Sequence, residues 1–168
     1  MTTLHPNLHR IAEQTVNQAI ERGLTVATAE SLTAGMVAAV LADTPGASGM
    51  LQGGVVSYQN SVKAGVLGVP RDLLDDVGAV DGEVAAAMAA GTRRICGADI
   101  GVSTTGVAGP EPHAGKAVGS VFVGIATAEG STSYAYSFEG SRAEIRSLAC
   151  AAALDRLLEA LAPAGRPA

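Results

Sequence analysis

The chain has 168 residues, 48% hydrophobic and 16% charged, with a mean hydropathy of +0.29. That length suits a single domain with a real buried core, and the composition excludes intrinsic disorder. A formal charge of −5, 3% aromatic residues and no Trp exclude a general nucleic-acid binder, which needs a basic face and stacking platforms.

No apolar run reaches the roughly 18 residues that cross a bilayer. The start, Met1-Thr2-Thr3-Leu4-His5, lacks the basic and apolar regions of a signal peptide. The expectation is a cytoplasmic protein with no membrane partner. Cys96 and Cys150 stand in Ala-rich stretches without a Cys-x-x-Cys pattern, and His5, His9 and His113 are scattered, so no metal site is predicted. Both cysteines read as small buried hydrophobes.

In chain order, Leu8, Ile11, Ala12, Val16, Ala19 and Ile20 recur at helical spacing, and Gly23 stops that helix. Leu24 to Thr28 reads as a strand, and Ser31 to about Ala42 as a mostly buried helix ended by Asp43-Thr44-Pro45-Gly46. Gly53 to Tyr58 is a second strand, followed by a turn or single helical turn over Gln59 to Lys63. Pro70 opens a short helix at Arg71 to Val77. Asp81 caps the next one, which carries Val84, Ala85, Met88 and Ala89 on one face.

Ala98 to Thr104 is strand-like and leads into a Gly-rich loop, Thr105-Gly106-Val107-Ala108-Gly109-Pro110. Val118 to Ala126 and Ser131 to Phe138 form a hairpin. A capping box, Ser141-Arg142-Ala143-Glu144, starts the last helix, whose apolar positions run to Leu161. Strands and helices alternate and an antiparallel hairpin follows. That order predicts one α/β domain over 1–168, a three-layer α/β/α arrangement with a mixed, partly antiparallel sheet. Its core spans about 7–161, and 163–168 is expected to fray.

Three loops follow predicted strands, the edge at which open α/β sheets bind ligands. In the first, Ser31 either caps its helix or presents a nucleophile where helix N–H groups favour an oxyanion. In the second, Tyr58 is either an inward-facing strand residue or a group that shuttles the proton or orients Ser31. Lys63 is likewise either a solvated charge or the base of a Ser/Lys pair, which needs its pKa lowered toward neutrality. Nine of the eleven basic residues are Arg and only Lys63 and Lys116 are Lys. Arg cannot serve as a base, so the retained lysines hint at chemistry. In the third loop, Gly106 and Gly109 either satisfy a tight turn or, with the Thr104 and Thr105 hydroxyls, cradle a phosphate or oxyanion. Lys116 stands nearby as a point charge.

Taken together, the ordered motifs resemble a known family. They are Ala29-Glu30-Ser31-Leu32-Thr33-Ala34-Gly35, Gly53-Gly54-Val55-Val56-Ser57-Tyr58-Gln59-Asn60-Ser61-Val62-Lys63, Gly78-Ala79-Val80, Thr105-Gly106-Val107-Ala108-Gly109-Pro110, Lys116-Ala117-Val118-Gly119 and Arg142-Ala143-Glu144-Ile145-Arg146. The chain resembles, over about residues 7–161, the C-terminal domain of the competence-damage-inducible protein CinA, which also exists alone as the nicotinamide-nucleotide amidase PncC.

The resemblance implies hydrolysis of the carboxamide of nicotinamide mononucleotide to nicotinic acid mononucleotide and ammonia, without metal or cofactor. It makes Ser31 the nucleophile, Lys63 its base and Tyr58 an assistant. Glu30, Thr33, Asn60, Thr105, Gly106, Ala108, Gly109, Lys116 and Arg142 are the candidate substrate-binding residues. Leu32 and the short stretch Glu111-Pro112-His113-Ala114-Gly115 depart from the family pattern, and Ala117 stands where the family has Pro. The alternative is a catalytically inactive nucleotide-binding or competence-associated regulatory module of the same fold. The apolar excess also suggests a homo-oligomer, a dimer first.

Overall fold

A computed structural model describes residues 6–162; the expectations for the first five residues and for the 163–168 tail fall outside them. The elements are α1 (Leu8–Arg22), β1 (Val26–Glu30), α2 (Met36–Ala42), a 3-10 turn (Ala47–Gly49), β2 (Leu51–Val56), α3 (Asn60–Gly65), α4 (Arg71–Val77), α5 (Gly82–Cys96), β3 (Ile100–Gly106), β4 (Ser120–Thr127), β5 (Gly130–Ser137) and α6 (Arg142–Ala160). The sheet order is β2-β1-β3-β4-β5. β1 pairs parallel with β2 and β3, whereas β3–β4 and β4–β5 are antiparallel. This is the expected mixed sheet between two helical layers.

On one face Leu8 and Val16 of α1, Val37 and Leu41 of α2 and Leu154 and Leu157 of α6 pack on Val26, Val102, Val123 and Ile125. The opposite face buries Ala29 with Leu67, Leu74, Val84 and Met88. Here α5 lies flush on the sheet. A Cβ at Gly101 would collide with the Ala89 carbonyl, and one at Gly124 with that of Ala85, so only glycine permits this approach. Two hydroxyls buried against α5 are paired: Ser103 Oγ donates to Ala85 O (2.6 Å) and Thr92 Oγ1 to Thr28 O (2.9 Å).

Several boundaries differ from those read in the sequence. β1 starts at Val26 because the Leu24 N–H closes the end of α1 on Ala19 O and Thr25 is tied to the Asp99 carboxylate. The segment Ser31 to Gly35 is a turn rather than the start of a helix. Ala34 and Gly35 have φ of 51° and 94°, which a right-handed helix cannot contain. Tyr58 lies beyond β2, so it is not a strand residue, and Lys63 sits on α3. Thr105 and Gly106 complete β3 instead of belonging to a loop, because Gly106 still pairs with Val121.

Candidate active site

The parallel strands β1, β2 and β3 end on one side of the sheet. The chain leaves β1 for β2 through α2 on one face and returns to β3 through α5 on the other. Such a reversal opens a crevice at the carboxyl ends of the strands. A cavity of about 550 Å³ lies there, within the range of small-molecule sites. Ser31, Tyr58, Asn60, Lys63, Thr105, Gly106, Ala108, Gly109 and Arg142 all line it.

Ser31 follows β1 directly, with its N–H bonded to Thr104 O (2.9 Å). It does not cap α2. Glu30 does: its carboxylate accepts from Thr33 Oγ1 (2.7 Å), Gly35 N (2.9 Å), Val37 N (3.0 Å) and Ala38 N (2.9 Å). This corrects two expectations. The N–H groups at the start of α2 are engaged by Glu30 and do not hold an oxyanion. Glu30 and Thr33 do not line the cavity, for both are fully buried, with Thr33 also bonded to Thr104 (2.7 Å). Ser31 itself is left free of any capping duty.

Lys63 is 1% exposed, which rules out a solvated charge. One turn into α3, its Nζ reaches back to Ser31 Oγ (3.0 Å), Ser57 O (2.8 Å) and Tyr58 O (3.2 Å). Among the described residues no carboxylate forms an ion pair with it. Burial without a countercharge disfavours the ammonium and lowers the pKa from 10.5 to about 8. The two carbonyls accept only hydrogens. In the neutral amine they hold its two N–H bonds, and the lone pair is left facing Ser31 Oγ. The arrangement can therefore take a proton from Ser31.

Tyr58 meets Lys63 through its main-chain carbonyl, not its phenol. The residue is 52% exposed, and its hydroxyl accepts from Arg142 Nη2 (3.0 Å) while Arg142 Nη1 donates to Gly109 O (2.6 Å). Arg142 thus bridges two walls of the cavity at its mouth, and the Tyr58 hydroxyl meets Arg142 there rather than Ser31 or Lys63.

The third loop is likewise only partly as expected. Thr105 Oγ1 donates to Ala79 O (2.6 Å) and Thr104 is bonded to Thr33, so both hydroxyls face protein partners rather than an anion. Lys116 is not among the residues lining the cavity; it pairs with Asp81 (3.9 Å) and lies over the Phe122 ring (5.8 Å). Ala114 and Gly115, with φ of 47° and 76°, turn a tight hairpin in which His113 and Lys116 exchange main-chain bonds. That turn leaves His113, Glu111 and Pro112 on the cavity. The sequence marks their stretch only as a departure from the family pattern in a loop that shapes the site, and does not single the three out as candidate binding residues.

Among the described residues no group of three His, Cys, Asp or Glu comes together to hold a metal ion, and no helix is long and apolar enough to cross a membrane. Cys96 and Cys150 are not bridged. Cys150 is buried, its thiol pushed up to about 12 by desolvation and by the charge of Glu30, whereas Cys96 is only half-buried, contrary to expectation.

Residues 8–161 match the family described as the CinA C-terminal domain. A CinA-like protein of Frankia casuarinae is 46% identical over 143 residues, covering 85% of this chain and 33% of that protein. A CinA-like protein of Geotalea uraniireducens is 44% identical over 142 residues, covering 84% and 34%. The chain thus spans about a third of the length of these curated relatives. Solved structures are matched almost end to end. The competence/damage inducible protein CihA of Agrobacterium tumefaciens superposes with a TM-score of 0.89 at 32% identity, covering 96% of this chain and 99% of that one. A CinA superfamily protein of Klebsiella pneumoniae gives a TM-score of 0.89 at 29% identity, covering 92% and 98%. The chain belongs to the CinA C-terminal domain family.

Proposed function

We propose that this chain is a cytoplasmic Ser/Lys amidohydrolase that converts nicotinamide mononucleotide to nicotinic acid mononucleotide and ammonia. The observation that carries this reading is the buried Lys63 Nζ at 3.0 Å from Ser31 Oγ, with its pKa lowered to about 8. Neutral Lys63 accepts the Ser31 proton as Oγ attacks the carboxamide carbon. The carbonyl oxygen gains the negative charge, and N–H groups of the Ser31 turn and the Gly-rich loop, not the engaged N-terminus of α2, are the donors left to bind it. Lys63 then returns its proton to the departing nitrogen, and ammonia leaves. A water, deprotonated in turn by Lys63, opens the acyl-Ser31 ester and restores the enzyme.

Arg142 uses two of its five N–H donors on Gly109 and Tyr58, so the others can receive the nucleotide's single phosphate at the cavity mouth. Asn60 on α3 adds a polar group to the same wall. One local cation is compatible with a net charge of −5.

The test is ammonia release from nicotinamide mononucleotide by the purified chain, with and without chelator, beside Ser31→Ala. Chelator-insensitive turnover lost in Ser31→Ala is expected. Calorimetry showing nucleotide binding without turnover would instead favour a non-catalytic module. The same reading includes a homo-oligomer, a dimer first, supported by the exposed Ile20, Val56, Val66 and Ile95. Light scattering that finds only a 16.7 kDa species would remove that part.

A further inference from the structure

We propose that Arg146 and Glu30 are positioning residues for Ser31, a pair of opposite charges that lock the two sides of the turn carrying it. Arg146 comes from α6. Its Nε donates to Leu32 O (2.9 Å) and its Nη2 to Thr33 O (3.0 Å), the two carbonyls that follow Ser31. Glu30 takes the other side of the same segment, accepting from the Thr33 hydroxyl and from the N–H groups of Gly35, Val37 and Ala38. Between them these two side chains hold carbonyl and N–H groups over residues 32 to 38. The inference rests on Ser31 being the nucleophile, as proposed above.

Neither charge is used in the ordinary structural way. Among the described residues they form no ion pair with each other or with any other side chain. Both sit against main-chain dipoles, where charge-assisted hydrogen bonds are about twice as strong as neutral ones. The turn needs such restraint. Ala34 holds a positive φ of 51°, which a side chain disfavours and which persists only when surroundings impose it. Ser31 Oγ must also stay in line with the single lone pair that neutral Lys63 can offer. A displacement of about 1 Å at a reacting atom can cost about 10² in rate.

The planar guanidinium fork matches two successive carbonyls, and an ammonium in its place can satisfy them only singly. Glu30→Gln keeps the shape of its residue but turns an N–H₂ group toward N–H donors.

The experiment compares the full chain with Arg146→Ala, Arg146→Lys and Glu30→Gln in two assays. One is turnover of nicotinamide mononucleotide, and the other is the rate at which a fluorophosphonate probe labels Ser31; thermal unfolding reports folding. A fall of about 10² in kcat is expected for Arg146→Ala, with KM changed by less than about threefold. The labelling rate should fall in parallel, and the pH at which the rate turns over should stay where wild type has it. Added guanidinium should restore part of the Arg146→Ala activity. Arg146→Lys should fold but recover less than about a tenth of wild-type kcat, because the fork is missing.

A folded Arg146→Lys or Glu30→Gln with wild-type kcat and labelling would overturn the proposal, as would losses that merely track the unfolded fraction. If Arg146→Ala does not fold, those two variants decide. Failure of wild type itself to turn over substrate or to be labelled would overturn the nucleophile reading beneath the proposal. Labelled wild type with equally labelled variants would overturn the positioning pair alone.

Discussion

Lys63 Nζ and Ser31 Oγ meet at 3.0 Å although 32 residues separate them, because α3 folds back under the end of β1. Lys63→Met keeps most of the length of the side chain and removes the base. It should lower kcat by about 10²–10⁴, and Ser31→Ala should be comparably severe. The double variant should be scarcely worse than either single one, since the pair acts as one unit. Steady-state kinetics on all three variants check this; additive losses would separate the two residues. Lys63→Arg is a poorer probe, because a larger side chain at a site 1% exposed brings overpacking as well as a fixed charge.

The rate should rise with pH through the depressed amine pKa. Only neutral Lys63 can accept the Ser31 proton, and with a pKa of about 8 roughly a tenth of it is neutral at pH 7. Below pH 8 kcat/KM should therefore fall about tenfold per unit, and above 8 it should level off. A profile from about pH 6 to about pH 10 that stays flat through 8 would contradict the role of Lys63 as base.

Those residues were only partly legible in the sequence. The capping box at Ser141 and Glu144 and the long apolar run behind it announced α6, and alternation announced the β4–β5 hairpin; both are local signals carried by a few adjacent residues. The site depends on contacts that no local pattern encodes. Ser is so common at helix N-caps that Ser31 looked like one, and nothing nearby showed that the Glu30 side chain would take over that task. The six residues of α3 are too few to show a periodic face, so the burial of Lys63 was invisible. Tyr58 finds Arg142 from 84 residues away. Lys116 was expected at the ligand, but the Ala114-Gly115 turn leaves His113 on the cavity and Lys116 on Asp81.

Tyr58→Phe should separate the two ends of that residue. The variant keeps the carbonyl that holds Lys63 and loses the hydroxyl that accepts from Arg142. One exposed hydrogen bond is worth about 1 kcal/mol, so KM should rise roughly fivefold while kcat stays within about threefold. A loss in kcat approaching that of Lys63→Met would restore the phenol to the proton path.

The close approach of α5 to the sheet predicts a stability effect at Gly101. Gly101→Ala drives a methyl group into the Ala89 carbonyl, a backbone atom that cannot rotate away. Helix and strand must separate, at a cost of about 1–3 kcal/mol typical of overpacking. Denaturant unfolding should show a lower midpoint with an unchanged slope. An unchanged midpoint would mean that the α5 layer shifts freely.

Burial of Lys63 also has a consequence for stability. Its pKa is 10.5 when solvated and about 8 in the folded chain, so between those values the unfolded state binds more protons than the native one. Stability must then rise with pH across that window. Below pH 8 both states are protonated and the whole penalty of burying the ammonium is present; above 10.5 both are neutral and it is gone. The size is on the order of 3 kcal/mol, and Lys63→Met lacks it at every pH. Urea unfolding of the two proteins side by side isolates the effect, because every other titrating group is common to both. Near pH 7 the Met variant should be the more stable, and its advantage should shrink steadily as pH rises through the window. A constant difference would mean that Lys63 titrates alike in the folded and unfolded chain, as a solvated amine does. The lost activity and gained stability of one substitution would then have to be explained without a strained ammonium beside Ser31.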